Sequence, residues 1–317
     1  CGMILLFQLV RQRLHIQNRI LVVVMIKGTT KILGVVGYPI VHSLSPVMHN
    51  AAIEHLGADY VYVPFSVKPE DLAVALRGFE AIDVQGFSVT IPHKQAIMPL
   101  LTEITAEAKL SGAVNAVSRT ESGWKGTNYD SFGFMAPLKE MKENWKSIAP
   151  VILGNGGAAR SVLVGCQSLG CPEVHVFGRN PQKLADFADS WKNTPVHDVL
   201  RVHAWDELGG MISGTRLVVN ATPMGMYPRG DQLPVTEDVI GGIQPGTVVY
   251  DLIYSPRPTL FLSKARERGA VIVDGLEMLV QQGAKALAIW LGRDVPVDIM
   301  RDACLKQSKP AGSGSGT

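Results

Sequence analysis

Thr90, His93 and Lys94 sit in the stretch FSVTIPHKQAI, residues 87–97. Phe87 to Thr90 alternates apolar and small polar residues and reads as a strand. Pro92 then stops the ladder, because it has no N–H to give. A hydroxyl, an imidazole and an ammonium displayed at such a stop could move a proton or steady a developing charge. An ordinary strand-to-helix corner would give the same pattern. Farther on, GAVNAV (112–117) puts the Asn115 amide inside an apolar run, and GTNYDSFG (126–133) sets Asn128 and Asp130 at a helix start. In GYPIVHSLSPVMHN (37–50), Ser43 and Ser45 stand beside another helix start. Two hydroxyls and a positive helix end suit a carboxylate. N-capping by Ser45 or Asp130 is the structural alternative. His93 reads as structural. His42 and His49 have no acidic third partner, so no metal site is expected.

A second constellation lies in VILGNGGAARSVL (151–163). A short apolar strand enters Gly154-Asn155-Gly156-Gly157-Ala158-Ala159, which fits G-x-G-x-x-G/A with Ala159 in the last place. Gly154 permits the tight turn, Gly156 lets backbone approach a pyrophosphate, and Ala159 keeps helix and strand close. The helix start adds free N–H groups and a positive dipole end. The following strand ends in EVHVFGRN, where an NAD-type site would carry Asp or Glu to hold the ribose hydroxyls. Here Gly178 and Arg179 stand instead. A guanidinium cannot accept from a hydroxyl but holds a 2′-phosphate through forked, charged donors, so NADP is expected over NAD. Lys183 adds charge. A solvated Arg179 is the plain alternative.

These residues need elements to carry them. KILGVVG (31–37), DYVYVPF and VQGFSVT read as strands, and SPVMHNAAIEHLG (45–57) and PEDLAVALRGFEAI as helices. Ser45 is the expected N-cap, Pro46 the first helical residue and Gly57 the stop. AVNAVSR (113–119) and the segment after Gly123 look like a hairpin, followed by a helix over 129–142. After Pro150 the alternation restarts with VILGNGG, EVHVFGR, RLVVNATP, TVVYDLIY and AVIVDG. MLVQQGAKALAIWLG and VDIMRDACLKQ close the chain as helices. Alternating strands and helices imply a mainly parallel sheet covered on both faces.

Bulk composition supports this. The chain has 317 residues, 46% of them apolar and 18% charged, enough for two cored domains. A net charge of +2 with no Lys/Arg run excludes a nucleic-acid footprint. Cys1, Cys166, Cys171 and Cys304 form no CxxC and read as reduced thiols of a cytoplasmic protein. Residues 1–24 are set apart as an N-terminal extension. Its arginines interrupt every apolar run, so neither a membrane span nor a signal peptide is expected. Residues 309–317 are a linker-like tail.

HSLSP, SVTIPHK, GAVNA, GTNYDSFG, GNGGAAR, NATPMGM, DLIYSP and DGLEMLVQQGAKAL occur here in the order found in shikimate dehydrogenases, which the chain resembles over roughly residues 31–295. The resemblance implies a two-domain α/β fold. An N-terminal α/β substrate domain with a mainly parallel sheet would cover residues 25–129 plus 275–308. A doubly wound Rossmann domain for NADP would cover 130–274. The implied reaction is reversible NADPH-dependent reduction of 3-dehydroshikimate to shikimate. Lys94 and Asp130 would be the catalytic pair, with the proton donor open between them. Ser43 and Ser45 would take the substrate carboxylate, Thr90, Asn115 and Gln282 the ring hydroxyls, and Tyr254 would close the site. Gly154, Gly156, Gly157 and Ala158 would hold the pyrophosphate, with Arg179 on the 2′-phosphate. Asn180, Thr222, Met224, Gly275 and Met278 complete the implied cofactor side.

The chain departs from the family at Ser88, where Asn is usual, at Gly178-Arg179-Asn180 for Asn-Arg-Thr, and at Tyr129 within Asn-Thr-Asp. The rival readings are a quinate/shikimate dehydrogenase of broader use, which Ser43 disfavours, a folate dehydrogenase, and a non-catalytic nucleotide sensor. The expected partner is a small molecule, with no nucleic acid and no membrane. A homodimer stays open.

Overall fold

The computed structural model describes residues 26–307. The predicted extension (1–24) and tail (309–317) lie outside the described residues. By contacts the chain divides at Thr30. In the first unit, Thr30 N–H donates to the Lys27 carbonyl at 3.1 Å, closing a turn. The second unit, from Lys31 onward, carries every element below.

Among the described residues, twelve strands form two sheets of six. The first contains β1 (Lys31–Gly37), β2 (Tyr60–Ser66), β3 (Val84–Val89), β4 (Glu103–Ile104), β5 (Ala116–Thr120) and β6 (Gly123–Thr127), in the order β2-β1-β3-β5-β6-β4. β1 pairs in parallel with β2 and β3, while β5 and β6 form the predicted antiparallel hairpin, whose β5 runs antiparallel to β3. The second contains β7 (Val151–Leu153), β8 (Val174–Gly178), β9 (Leu200–Ala204), β10 (Leu217–Asn220), β11 (Val248–Asp251) and β12 (Val271–Val273). Its order is β12-β11-β10-β7-β8-β9, parallel throughout.

The second sheet is covered on both faces, and its residues alternate between two cores. Ile152, Val176 and Val219 enter one core, and Val151, Leu153, Phe177 and Val218 the other. That period of two is the pleat itself, and the unbroken apolar runs are what a doubly covered parallel sheet requires. In the first sheet, Leu33 and Val35 pack on Met48, Ala52, Val280 and Met300, which belong to helices Ser45–His55, Gly275–Leu291 and Val297–Gln307. Val36, Phe87 and Val89 face Leu76 and Phe79 on the other side. The chain's last helices therefore return to its first sheet.

Helix Asp130–Lys139 packs against both halves. A Cβ on Gly133 would sit 2.5 Å from the Met278 carbonyl, and one on Gly165 would sit 2.6 Å from the Phe134 ring. Only glycine allows those two approaches.

Two expectations need correction. Helix Ser45–His55 begins at Ser45, so Ser45 is not its N-cap. The hydroxyl that turns back is that of Ser43, which accepts from the Ser45 N–H at 3.3 Å. The short strands β4 and β9 were not predicted at all.

Candidate active site

β3 ends at Val89, and the Thr90 N–H still reaches the Val36 carbonyl at 2.9 Å. One turn of helix, His93–Ala96, follows. His93 is wholly buried, with Nε2 2.7 Å from the Val67 carbonyl, which makes it a structural residue. Its neighbour points the other way. Lys94 Nζ donates to Asp130 Oδ2 at 2.6 Å, with the lysine side chain 31% exposed and the aspartate 11%. The two groups are 36 residues apart in sequence.

Asp130 is held from three sides. Asn115 Nδ2 donates to its Oδ1 at 2.8 Å, and its own N–H donates to Asn128 Oδ1 at 2.8 Å. Asn128 Nδ2 is in turn fixed on the Ala113 carbonyl at 2.9 Å. Asn115 Nδ2 also reaches Gln282 Oε1 at 3.1 Å, while its Oδ1 accepts from the Tyr129 N–H at 2.8 Å. The result is a carboxylate with a fixed orientation and one oxygen turned to an ammonium. Charge-assisted bonds of this kind are among the stronger ones.

The pair opens into a cavity of ≈ 450 Å³. All of Ser43, Ser45, Thr90, Lys94, Asn115, Asp130, Tyr254 and Gln282 line it, together with Gly157, Ala158, Gly275 and Met278. Burial pushes the Tyr254 phenol up, so it stays a donor. Gly154, Gly156, Arg179, Asn180, Thr222 and Met224 lie outside this lining.

The glycine loop has the predicted form. Gly154 takes φ +101, in the left-handed region, and a Cβ there would meet Thr222 Cγ2 at 2.9 Å. Gly156 is the N-cap of the twelve-residue helix Gly157–Ser168. A Cβ on Gly156 or Gly157 would meet nothing within 4 Å. Open space over free backbone N–H groups at a helix start suits a pyrophosphate. Arg179, at the end of β8, lies with its guanidinium 4.7 Å over the Trp205 ring, and its Nη2 donates to the Pro234 carbonyl at 3.2 Å. It is exposed yet held, not freely solvated, and presents the charge a 2′-phosphate needs. The residues present therefore fit NADP.

Two residues placed on the cofactor side also make local bonds. Asn180 Oδ1 accepts from the Lys183 N–H at 2.9 Å, making Asn180 the cap of helix Pro181–Asp189. Thr222 Oγ1 donates to Asn220 Oδ1 at 2.7 Å and accepts from the Met224 N–H at 3.3 Å, so its hydroxyl is used inside its own loop. Bonded to Asn220 is a group that opens the DLIYSP motif but has no predicted role. Asp251 is fully buried and takes bonds from Asn220, Thr259 and the Ile253 N–H. Burial pushes its carboxyl up to about 6. Ser88 was noted only as a departure, and it too lines the cavity. Its signal was available, since it lies two residues before Thr90 on the same strand face.

Comparison with known proteins points to one family. The family pattern described as "Shikimate dehydrogenase substrate binding domain" matches residues 35–117, and "Shikimate 5'-dehydrogenase C-terminal domain" matches 275–305. A shikimate dehydrogenase (NADP(+)) of Microcystis aeruginosa is 59% identical over 282 residues, 89% of this chain and 99% of that protein. A solved shikimate dehydrogenase in complex with NADP+ superposes with TM-score 0.83 at 36% identity, covering 90% of this chain and 98% of its own. A Thermus thermophilus shikimate 5-dehydrogenase, solved with NADP(H) and shikimate, gives 0.78 at 31% identity, covering 87% and 99%.

Proposed function

Because this chain belongs to the shikimate dehydrogenase family, we propose that it reduces 3-dehydroshikimate reversibly to shikimate with NADPH, on the route to chorismate and the aromatic amino acids, using Lys94 and Asp130 as its catalytic pair. The observation that carries this reading is the 2.6 Å contact between Lys94 Nζ and Asp130 Oδ2 in a cavity also lined by Gly157 and Ala158. A ketone becomes an alcohol when hydride reaches its carbon and a proton its oxygen. Bound NADPH supplies the hydride. The Lys94 ammonium stabilises charge developing on the oxygen and delivers the proton, and Asp130 holds that ammonium in place.

In this reading residues 25–129 plus 275–308 bind substrate, and residues 130–274 bind the cofactor. Ser43 and Ser45 take the substrate carboxylate, Thr90, Asn115 and Gln282 take ring hydroxyls, and Tyr254 closes the site. Gly154, Gly156, Gly157 and Ala158 hold the pyrophosphate, Arg179 the 2′-phosphate, and Gly275 and Met278 border the nicotinamide. Met224 serves there through its loop. A Cβ on Gly275 would fall 2.0 Å from the Leu252 carbonyl, which supports a close-packed wall at that point. The reading includes a cytoplasmic location, supported by the thiols of Cys166, Cys171 and Cys304, none of which is in a disulfide. Among the described residues no helix is long and apolar enough to cross a membrane.

Steady-state kinetics with shikimate and with quinate, each against NADP+ and NAD+, tests this. Shikimate with NADP+ is expected to turn over best by a wide margin. Equal use of quinate would favour a broader enzyme, and no formation of NADPH would overturn the proposal.

A further inference from the structure

Ser88 and Tyr62 form a hydroxyl pair at the back of the cavity that no role above uses. Tyr62, in β2, is 1% exposed, and its ring lies stacked on His49 at 4.0 Å and 12°. Burial pushes its phenol far up, so it keeps its proton. That proton goes to Ser88 Oγ at 2.8 Å. Ser88 is itself 6% exposed, and the surface it retains belongs to the cavity that holds Lys94 and Asp130.

A serine hydroxyl has one proton and two lone pairs. At Ser88 one lone pair is taken by Tyr62, and Tyr62 cannot accept in return while its only proton points at Ser88. The Ser88 proton must therefore leave in another direction. Ser88 and Thr90 are two apart on β3 and share a face, so both hydroxyls front the same space. A donor polarised from behind by a second hydroxyl is a better donor than an isolated one.

We infer that Ser88 is a substrate-binding residue that donates a hydrogen bond to an acceptor oxygen of the bound hydroxycarboxylate, and that Tyr62 is a positioning residue that fixes the direction of that proton. The inference rests on the function proposed above.

The test uses Ser88→Ala, Tyr62→Phe and the double variant in the full chain. It reads shikimate affinity by calorimetry and KM and kcat by kinetics. Ser88→Ala is expected to weaken shikimate binding and raise its KM roughly tenfold, as loss of one buried donor implies. kcat and the KM for NADP+ should change little. Tyr62→Phe keeps the ring and should raise the shikimate KM by a smaller factor, about threefold. In the Ser88→Ala background Tyr62→Phe should add nothing, because its effect passes through Ser88. Lower melting temperatures with unchanged shikimate KM would reduce the pair to a packing contact and overturn the inference. So would a Tyr62→Phe effect that adds in full to that of Ser88→Ala. If the unaltered protein binds no shikimate, the functional reading falls and this one with it. If it binds and turns over shikimate while Ser88→Ala matches it, only this one falls.

Discussion

At the residue scale, the proposed chemistry stands on one charged contact and the groups that hold it. Lys94→Ala should fold, bind NADPH as before, and lose at least about a hundredfold in kcat. Asp130→Asn should also lose turnover, and the double variant should be little worse than the poorer single one, since the two side chains act as one bonded unit. Near-normal kcat in Lys94→Ala would refute the assignment. Arg179→Ala should raise the NADPH dissociation constant roughly ten- to a hundredfold, with NADH binding unaffected. Titration of both cofactors checks this. These residues were legible in the sequence only as candidates. Asn115 and Gln282 touch across 167 positions, and no spacing rule reaches that far. Only the ordered run of motifs tied them together. Spacing alone puts Ser88 on the Thr90 face, but its bond with Tyr62, 26 residues away on another strand, follows from no spacing rule.

At the element scale, what the sequence revealed and what it hid follow burial. β7, β10 and β11 are buried at every position, and each opens on an apolar run, VIL, LVV and VVY, that stands out in the sequence. β9 lies at the sheet edge with a mixed pattern of exposure, and LRVHA carries no clean period to find. Helix starts were legible by composition but not by role. Ser45 looked like a cap, yet the turn-closing hydroxyl is that of Ser43. Asn180 reads only as a cofactor contact, and its side-chain carbonyl also caps helix Pro181–Asp189. That assignment has a consequence. Asn180→Ala should cost about 1 kcal/mol of stability, as caps do, while changing NADPH affinity little. Denaturant unfolding and cofactor titration on the same variant separate the two roles. A large loss of affinity at unchanged stability would make Asn180 a cofactor contact first and a cap second.

At the scale of the whole molecule, two buried titratable groups, one under each sheet, oppose one another. His49, in the core beneath the first sheet, has its imidazole pushed down from 6.5 to about 4 by burial. Asp251, at the end of β11 in the second, has its carboxyl pushed up from 3.8 to about 6, again chiefly by burial. For His49 the unfolded chain binds the extra proton, so its stability contribution is complete above about pH 6.5 and is lost as pH falls towards 4. For Asp251 the folded chain binds the extra proton, so its contribution is complete below about pH 3.8 and is lost as pH rises through 6. Each shift corresponds to an effect on the order of 3 kcal/mol across its window. Over pH 4 to 6 the two should nearly cancel, provided the halves unfold together. The packing of helix Asp130–Lys139 on helices Gly157–Ser168 and Gly275–Leu291 favours that coupling. Removing either group should expose the other. Asp251→Asn should lose stability relative to the unaltered chain as pH falls across this window, and His49→Phe should gain it. Calorimetric stability profiles of the three proteins provide the measurement, read as differences so that other titrating groups drop out. Parallel profiles would refute the buried charge balance. Two resolved transitions moving in opposite directions with pH would keep both assignments and show that the sheets unfold separately.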